Sequence, residues 1–269
     1  MKLSTIVIAK DEEERISACL ESAKWANELV VVMDDSVDNT AKIAKKYTNE
    51  VLIYKGEHDF AKLRNWAMEQ TSGEWVLFLD ADERILSPLK EEIVNAISGS
   101  EKSAFAIPRK NIIFGTEKKY GPFWPDFVIR LLKRENFTGW AGKIHEQPTF
   151  EGSLGYLKNP FLHLTHRDLN QIICKSLDWS NIDAKLRLSS NHPKISSWRL
   201  IRILLIELFN QGFLRKGFFA GTIGTMDAIL QTFSLVMTYI RLWEMQQSRP
   251  LDRVYAEIDK KLIDGNFKF

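Results

Sequence analysis

The feature that most constrains this chain is a regular alternation of short apolar runs with helical stretches through its first half. Leu3 to Ala9, Leu29 to Met33, Val51 to Tyr54 and Trp75 to Leu79 are apolar runs of strand length. Between them, apolar residues recur at helical spacing: Ile16, Cys19, Leu20 and Ala23; then Ala41, Ile43, Ala44 and Tyr47; then Phe60 to Glu69. Asp11 and Asp38 are the expected caps of the first two helices. Glu12, Glu13 and Glu14 suit the positive end of the first. Ser87-Pro88 opens a further helix, with Leu89, Ile93, Ala96 and Ile97 on one face. The order β-α-β-α-β-α-β predicts an α/β fold: a mostly parallel, Rossmann-like sheet flanked by helices, with right-handed crossovers.

Acids gather where these strands end. The run Trp75-Val-Leu-Phe-Leu-Asp-Ala-Asp-Glu83 places carboxylates at the C-terminal edge of a buried strand. That edge is where open α/β sheets bind ligands. Asp80 and Asp82, two apart, point the same way if the pleat continues. Such a pair suits a hard divalent cation held against a diphosphate. D-x-D alone is equally compatible with a solvated acidic turn. No G-x-G-x-x-G follows the first strand, which argues against a dinucleotide site.

After residue 100 the pattern changes. Ala104 to Pro108, Asn111 to Phe114 and Phe127 to Leu132 are short strand candidates, the last with Arg130 embedded. Gly121-Pro-Phe-Trp-Pro125 and Gly139-Trp140 intervene, as turn-rich aromatic segments that either pack a core or shape a pocket. With 269 residues, 45% hydrophobic and 27% charged, the chain suits one large domain with an appendage. A net charge of +2 excludes generic nucleic-acid binding. Cys19 and Cys174 lack metal spacing and fit a reducing compartment. Thr5 to Ala9 is too short for a signal-peptide core, and no window offers the roughly 20 uninterrupted apolar residues of a spanning helix.

The ordered series resembles the family-2 glycosyltransferases, and within them the lipopolysaccharide core and cell-envelope subgroup. The residues that carry the resemblance are Thr5-Ile-Val-Ile-Ala-Lys-Asp-Glu-Glu13, Glu28-Leu-Val-Val-Val-Met-Asp-Asp-Ser-Val-Asp-Asn-Thr40, Phe60-Ala-Lys-Leu-Arg-Asn65 and Glu74 to Glu83. Arg130-Leu131, Gly142-Lys-Ile-His-Glu146 and Gly212 with Tyr239-Ile-Arg-Leu-Trp-Glu244 extend it over nearly the whole chain. The resemblance implies the glycosyltransferase A fold and sugar transfer from a nucleotide diphosphate. Ala9, Lys10, Asp11 and Glu12 match the loop that touches the nucleotide. Asp34 or Asp35 would sit by the base and ribose, with an ungapped match placing Met33 at the family's usual Asp. Arg64, with Asn65, matches a segment near the diphosphate. Asp80 and Ala81 match donor contacts, and Asp80 and Asp82 the metal-binding D-x-D for Mg²⁺ or Mn²⁺. The family more often has Asn where Asp11 stands.

Glu146 is the expected general base, and Asp126 the second choice. His145 is placed to orient that loop or the acceptor, and His163, three before His166, is a third metal ligand by analogy with a late His in this fold. A single displacement would invert the anomeric centre. Competing readings are a nucleotidyltransferase, disfavoured by the acidic Lys10-Asp-Glu-Glu-Glu14 loop, and a catalytically silent nucleotide-sugar-binding protein.

The expected division is a catalytic domain over 1–190 and a helical extension over 191–269. From Lys194 to Arg253 there are 8 Lys/Arg against 4 Asp/Glu, interleaved with large apolar residues such as Trp198, Phe209, Phe213 and Phe233. This pattern suits either an anionic membrane surface or packing on the catalytic domain or another copy of the chain. The expected partners are therefore a nucleotide-sugar donor and a glycan or glycolipid acceptor, with an anionic membrane surface and a homo-oligomer as the open alternatives for the extension, and no nucleic acid. The expected location is cytoplasmic, either free or peripheral on the inner face of the cell membrane.

Overall fold

The computed structural model describes residues 1–56, 59–121, 125–142 and 146–265. The first half alternates as its sequence predicts: β1 (Leu3–Ala9), α1 (Ile16–Ala23), β2 (Glu28–Met33), α2 (Thr40–Ala44), β3 (Val51–Ile53), α3 (Phe60–Glu69) and β4 (Trp75–Asp80). Then follow β5 (Glu83–Arg84), α4 (Ser87–Ile97), β6 (Ala104–Ile113), β7 (Thr116–Glu117), β8 (Asp126–Lys133), β9 (Phe137–Ala141), β10 (Gln147–Phe150), β11 (Leu154–Tyr156) and β12 (Phe161–Leu164). The helices α5 (Leu169–Ser189), α6 (Ser197–Phe209), α7 (Gly221–Met245) and α8 (Leu251–Ile263) complete the described chain.

The main sheet has the order β3-β2-β1-β4-β8-β6-β12-β5. Its first four strands are parallel, and β8 runs antiparallel to both β4 and β6. The apolar runs are continuous because both faces are covered. Alternate residues serve two cores: Leu3, Val7, Val31, Leu77 and Leu79 on one face, Ile6, Ile8, Val30, Val76 and Phe78 on the other. Residues of α1 and α4 join the first core, and those of α3 the second. Cutting fully buried Phe78 back to Ala would cost about 3–5 kcal/mol. Gly73 sets the start of β4. Its N–H donates to Ser4 Oγ at 2.8 Å, and a Cβ there would lie 2.7 Å from the Ser4 backbone nitrogen.

Three local expectations change. The first helix begins at Ile16 rather than Asp11, because residues 11–15 turn back to meet the loop after β2. The second stops at Ala44, although Asp38 Oδ1 does accept from the Thr40 N–H at 2.9 Å. The two short strands expected around Pro108 are one strand, β6. On one side β6 pairs with β11 at Ala104 to Ala106 and with β12 at Arg109 to Ile112. Pro108 falls in the gap between those two partners on that side, and is paired with Phe127 of β8 on the other.

The chain forms two compact units, Met1–Lys119 with Phe123–Thr165, and Tyr120–Pro122 with His166–Phe269. The expected division at 190 followed function. Compactness groups α5 with the later helices instead, because α5 packs along α7. In the second unit Arg241 Nε donates to Ser180 Oγ at 2.8 Å, and Arg187 Nη1 to the Tyr239 hydroxyl at 2.9 Å. Gly224 lets the backbone of residue 217 approach α7, since a Cβ there would meet the Gly217 carbonyl oxygen at 2.4 Å.

Candidate active site

The parallel register sets the rim. Ile8 lies opposite Asp80 and Ala9 opposite Met33, so β1, β2 and β4 end together. The loops after β1 and β2 are laced to each other. Asp11 N–H donates to Ser36 Oγ (3.0 Å), and Asp11 Oδ1 accepts from the Val37 N–H (2.9 Å). Glu12 N–H donates to Thr40 Oγ1 (2.8 Å), and Glu13 N–H to Asp38 Oδ2 (3.0 Å). Glu13 Oε2 accepts in turn from the Asn39 backbone and side chain. The Glu12 carboxylate accepts from Arg15 Nη1 at 3.0 and 3.2 Å. Asp34 is buried and continues the ladder, its N–H donating to the Ala9 carbonyl at 3.0 Å. Asp35 is exposed, with a left-handed backbone (φ 54). Lys10 is exposed on this rim, while Ala9 and Ala81 are buried.

Beside the rim lies a charge cluster assembled from distant segments. α3, capped by Asp59 Oδ1 accepting from the Ala61 and Lys62 N–H groups, presents Arg64. Arg64 Nη2 donates to Asp80 Oδ1 at 2.9 Å, and its Nε to Glu146 Oε1 at 3.2 Å. Arg130 Nη2 donates to Asp80 Oδ2 at 2.8 Å. Both guanidiniums lie over the Trp140 ring, 5.1 and 5.7 Å from its centroid. That ring is fixed by a reciprocal pair: Asn65 Nδ2 donates to the Trp140 carbonyl, and the Trp140 N–H to Asn65 Oδ1. Burial opposes ionisation of Asp80, but Arg130 and Arg64 outweigh it and hold the carboxyl below the usual carboxylate range.

A second chain of contacts reaches Asp82. His163 Nε2 is 3.4 Å from Asp82 Oδ2. On its other side His163 Nδ1 meets Asn111 Oδ1. Asn111 Nδ2 donates to Asp126 Oδ2 at 2.9 Å, which turns Asn111 Oδ1 toward the imidazole. An acceptor there requires a proton on Nδ1, so in the neutral ring the Nε2 lone pair faces the Asp82 carboxylate. Imidazole nitrogen and carboxylate are a donor set that suits a divalent cation, with Asn111 and Asp126 as the outer support such ligands need. Among the described residues no group of three His, Cys, Asp or Glu forms a cage, so further ligands would come from substrate or solvent.

Several of these partners carry no role in the sequence reading. Arg130 is buried against Asp80, and Trp140 floors both arginines. Glu83 is fully buried. Its Oε2 accepts from the Asp80 N–H at 3.1 Å, and its Oε1 lies 3.9 Å from Arg109 Nη1. Burial and the neighbouring Asp80 charge push the Glu83 carboxyl up. Arg130 was legible as a charge inside an apolar strand, but its partner was not. Asp126, the second choice for base, is instead paired with Arg109, whose Nη2 lies at 2.7 Å. The structure therefore brings together Arg64, Asp80 and Glu146, and separately Asp82 and His163. His145 and the aromatic run over 122–124 lie outside the described residues. His166 falls in the other compact unit.

The acidic rim and the buried arginines thus sit at the C-terminal ends of the parallel strands β1, β2 and β4 in a mixed α/β sheet. The model for glycosyl transferase family 2 matches residues 4–151. The chain belongs to that family. A Rickettsia conorii protein described as an uncharacterized glycosyltransferase is 25% identical, over 99% of this chain and 97% of its own length. The lipopolysaccharide core biosynthesis glycosyltransferase LpsC of Rhizobium meliloti is 26% identical, over 71% of this chain and 73% of its own. The solved structure of S. aureus TarS with UDP-GlcNAc covers 93% of both chains at 17% identity, with a TM-score of 0.47.

Proposed function

We propose that this glycosyltransferase inverts the anomeric centre, moving a sugar from a nucleotide diphosphate to a hydroxyl of an envelope glycan or glycolipid. The observation that carries the reading is Arg64, which ties Asp80 at the strand rim to Glu146 from a segment far along the chain. The likeness to LpsC supports the envelope acceptor. Asp34, Asp35 and the laced Lys10–Glu12 loop bind the base and ribose side of the donor at the ends of β1 and β2. Asp80, gripped through both oxygens by Arg64 and Arg130, orients the donor side of the cleft. Asp82 and His163 would hold Mg²⁺ or Mn²⁺, which when bound neutralises charge on the departing diphosphate. Glu146 takes the proton from the acceptor hydroxyl as that oxygen attacks the anomeric carbon. The bond from that carbon to the diphosphate oxygen breaks as the new C–O bond forms, and one displacement inverts the centre. Proton removal by a placed carboxylate contributes about 10²–10⁴-fold, and alignment of the two substrates supplies much of the rest.

A thermal-shift screen of nucleotide sugars with and without Mn²⁺ tests this. One donor should raise the melting temperature only with metal, and should then be slowly hydrolysed without acceptor. If every nucleotide sugar leaves the melt unchanged in both conditions, the reading fails.

A further inference from the structure

The second compact unit turns large apolar side chains outward. None of the 13 residues of α6 is buried. Trp198 is 71% exposed, and Ile201, Leu205 and Phe209 are about half exposed. These four recur at i, i+3, i+7 and i+11, which makes one stripe along the helix. Arg202 is exposed beside it, and Arg199 is half-buried. Glu207 is occupied elsewhere, its Oε1 accepting from Gln211 Nε2 at 2.6 Å. After α6 the chain makes a wide helical turn over Asn210–Leu214 and gathers an aromatic knot. Phe213 stacks on Phe209 with centroids 5.3 Å apart, and meets Phe218 and Phe219 at 5.2 and 6.1 Å. Phe219 is 72% exposed, and Lys216 is exposed at the same turn. On α7, Met226, Ile229, Phe233, Ile240 and Trp243 form another exposed stripe, while Gly224, Ala228, Thr232 and Leu242 are buried.

So many outward-facing apolar side chains are uncommon on a free monomer surface. We propose that α6, the aromatic turn and the outer stripe of α7 dock in the interface of an anionic lipid bilayer and lie in its plane. Charge selects lipid over a second copy of the chain. The one exposed charged residue of α6, Arg202, is basic, Lys216 is exposed at the turn after it, and residues 194–253 carry 8 Lys/Arg against 4 Asp/Glu. In a two-fold pairing these cations would meet themselves, whereas anionic headgroups attract them. Among the described helices α7 alone is long and apolar enough to cross a membrane by length and composition. Its first two turns nevertheless hold buried Asp227, which accepts from the Tyr120 hydroxyl at 3.0 Å, and it packs along α5. Those contacts suit a helix that lies on the bilayer with one face toward protein. The inference stands apart from the glycosyl-transfer reading, since it uses none of the rim residues.

Co-sedimentation of the full chain with phosphatidylcholine vesicles, with and without phosphatidylglycerol, at low and high salt tests it. The expected result is uptake by phosphatidylglycerol vesicles that weakens with salt and is extracted at alkaline pH. The pairs Arg199→Glu/Arg202→Glu and Trp198→Ser/Phe219→Ser should each weaken uptake by about tenfold or more. Both should keep the parent melting temperature and metal-dependent donor shift, which separates lost docking from lost folding or a failed donor site. Three outcomes overturn the proposal: no uptake by anionic vesicles, equal salt-insensitive uptake by phosphatidylcholine alone, or retention after alkaline extraction. A lipid-indifferent dimer that the same variants dissociate also overturns it and assigns the face to a second copy.

Discussion

The two compact units depart from the usual distribution of residues in opposite directions. The first buries charge: Arg64, Arg130 and Glu83 are all under 9% exposed around Asp80. The second exposes hydrophobes: Trp198 and Phe219 are more than two-thirds exposed. Burying ions costs several kcal/mol each unless they are paired, and exposing apolar area forfeits about 25 cal/mol per Å². Pairing with Asp80 and Glu146 offsets the first cost. On the two proposals above, an anionic donor with its cation would meet the first departure and a bilayer the second.

The contrast can be broken at either end. The largest effect is expected at Glu146. Replacing it with Gln should lower kcat by about 10²–10⁴-fold while the donor-induced melting shift survives. Parent turnover in that variant would remove Glu146 from the chemistry. Arg64→Ala should cost about 3–5 kcal/mol in denaturant unfolding, because it strips a partner from both Asp80 and Glu146. A loss under about 1 kcal/mol, the range of a surface ion pair, would mean the cluster behaves as exposed charge. Asn111→Leu frees the His163 tautomer and should weaken Mn²⁺ binding about 10–100-fold by electron paramagnetic resonance. Unchanged affinity would sever Asn111 from the metal.

A subtler test uses Glu28, which ties the start of β2 to the turn before β4. Burial pushes its carboxyl up, but hydrogen bonds from Ser4 and Ser72 and the charge of Lys2 prevail and hold it down at about 2. The depressed value means that its stabilisation is fully present above the ordinary carboxylate range and is lost as pH falls through about 2. Glu28→Gln should flatten that acid limb of the stability curve; an unchanged slope would assign it to other carboxylates. Smallest of all, Trp198→Ser should change unfolding free energy by no more than about 0.5 kcal/mol. A larger loss would show that this side chain packs in the free protein after all.

Much of the first unit is readable before folding, because strand burial is written locally. Continuous apolar runs are best covered on both faces, and this placed β1, β2 and β4 and the acids at their ends. Asp11 shows where local reading stops. As an isolated residue it resembles a helix cap, yet its carboxylate bonds the Val37 N–H across a gap of 26 positions. The same holds for β6, whose Pro108 reads as a break until the two strands that flank it are known.

Sequence alone determined the class of fold and the rim acids, because apolar runs, helical spacing and a strand-terminal D-x-D are properties of neighbours along the chain, and the ordered motifs carried the resemblance to the family. Only the tertiary structure decided who pairs with whom. It gave both oxygens of Asp80 to arginines from α3 and β8, turned His163 toward Asp82 through Asn111, and left the α6 stripe uncovered. Those outcomes depend on contacts between residues tens of positions apart. Charge pairing and desolvation act through space, and the linear order of residues carries no direct record of them.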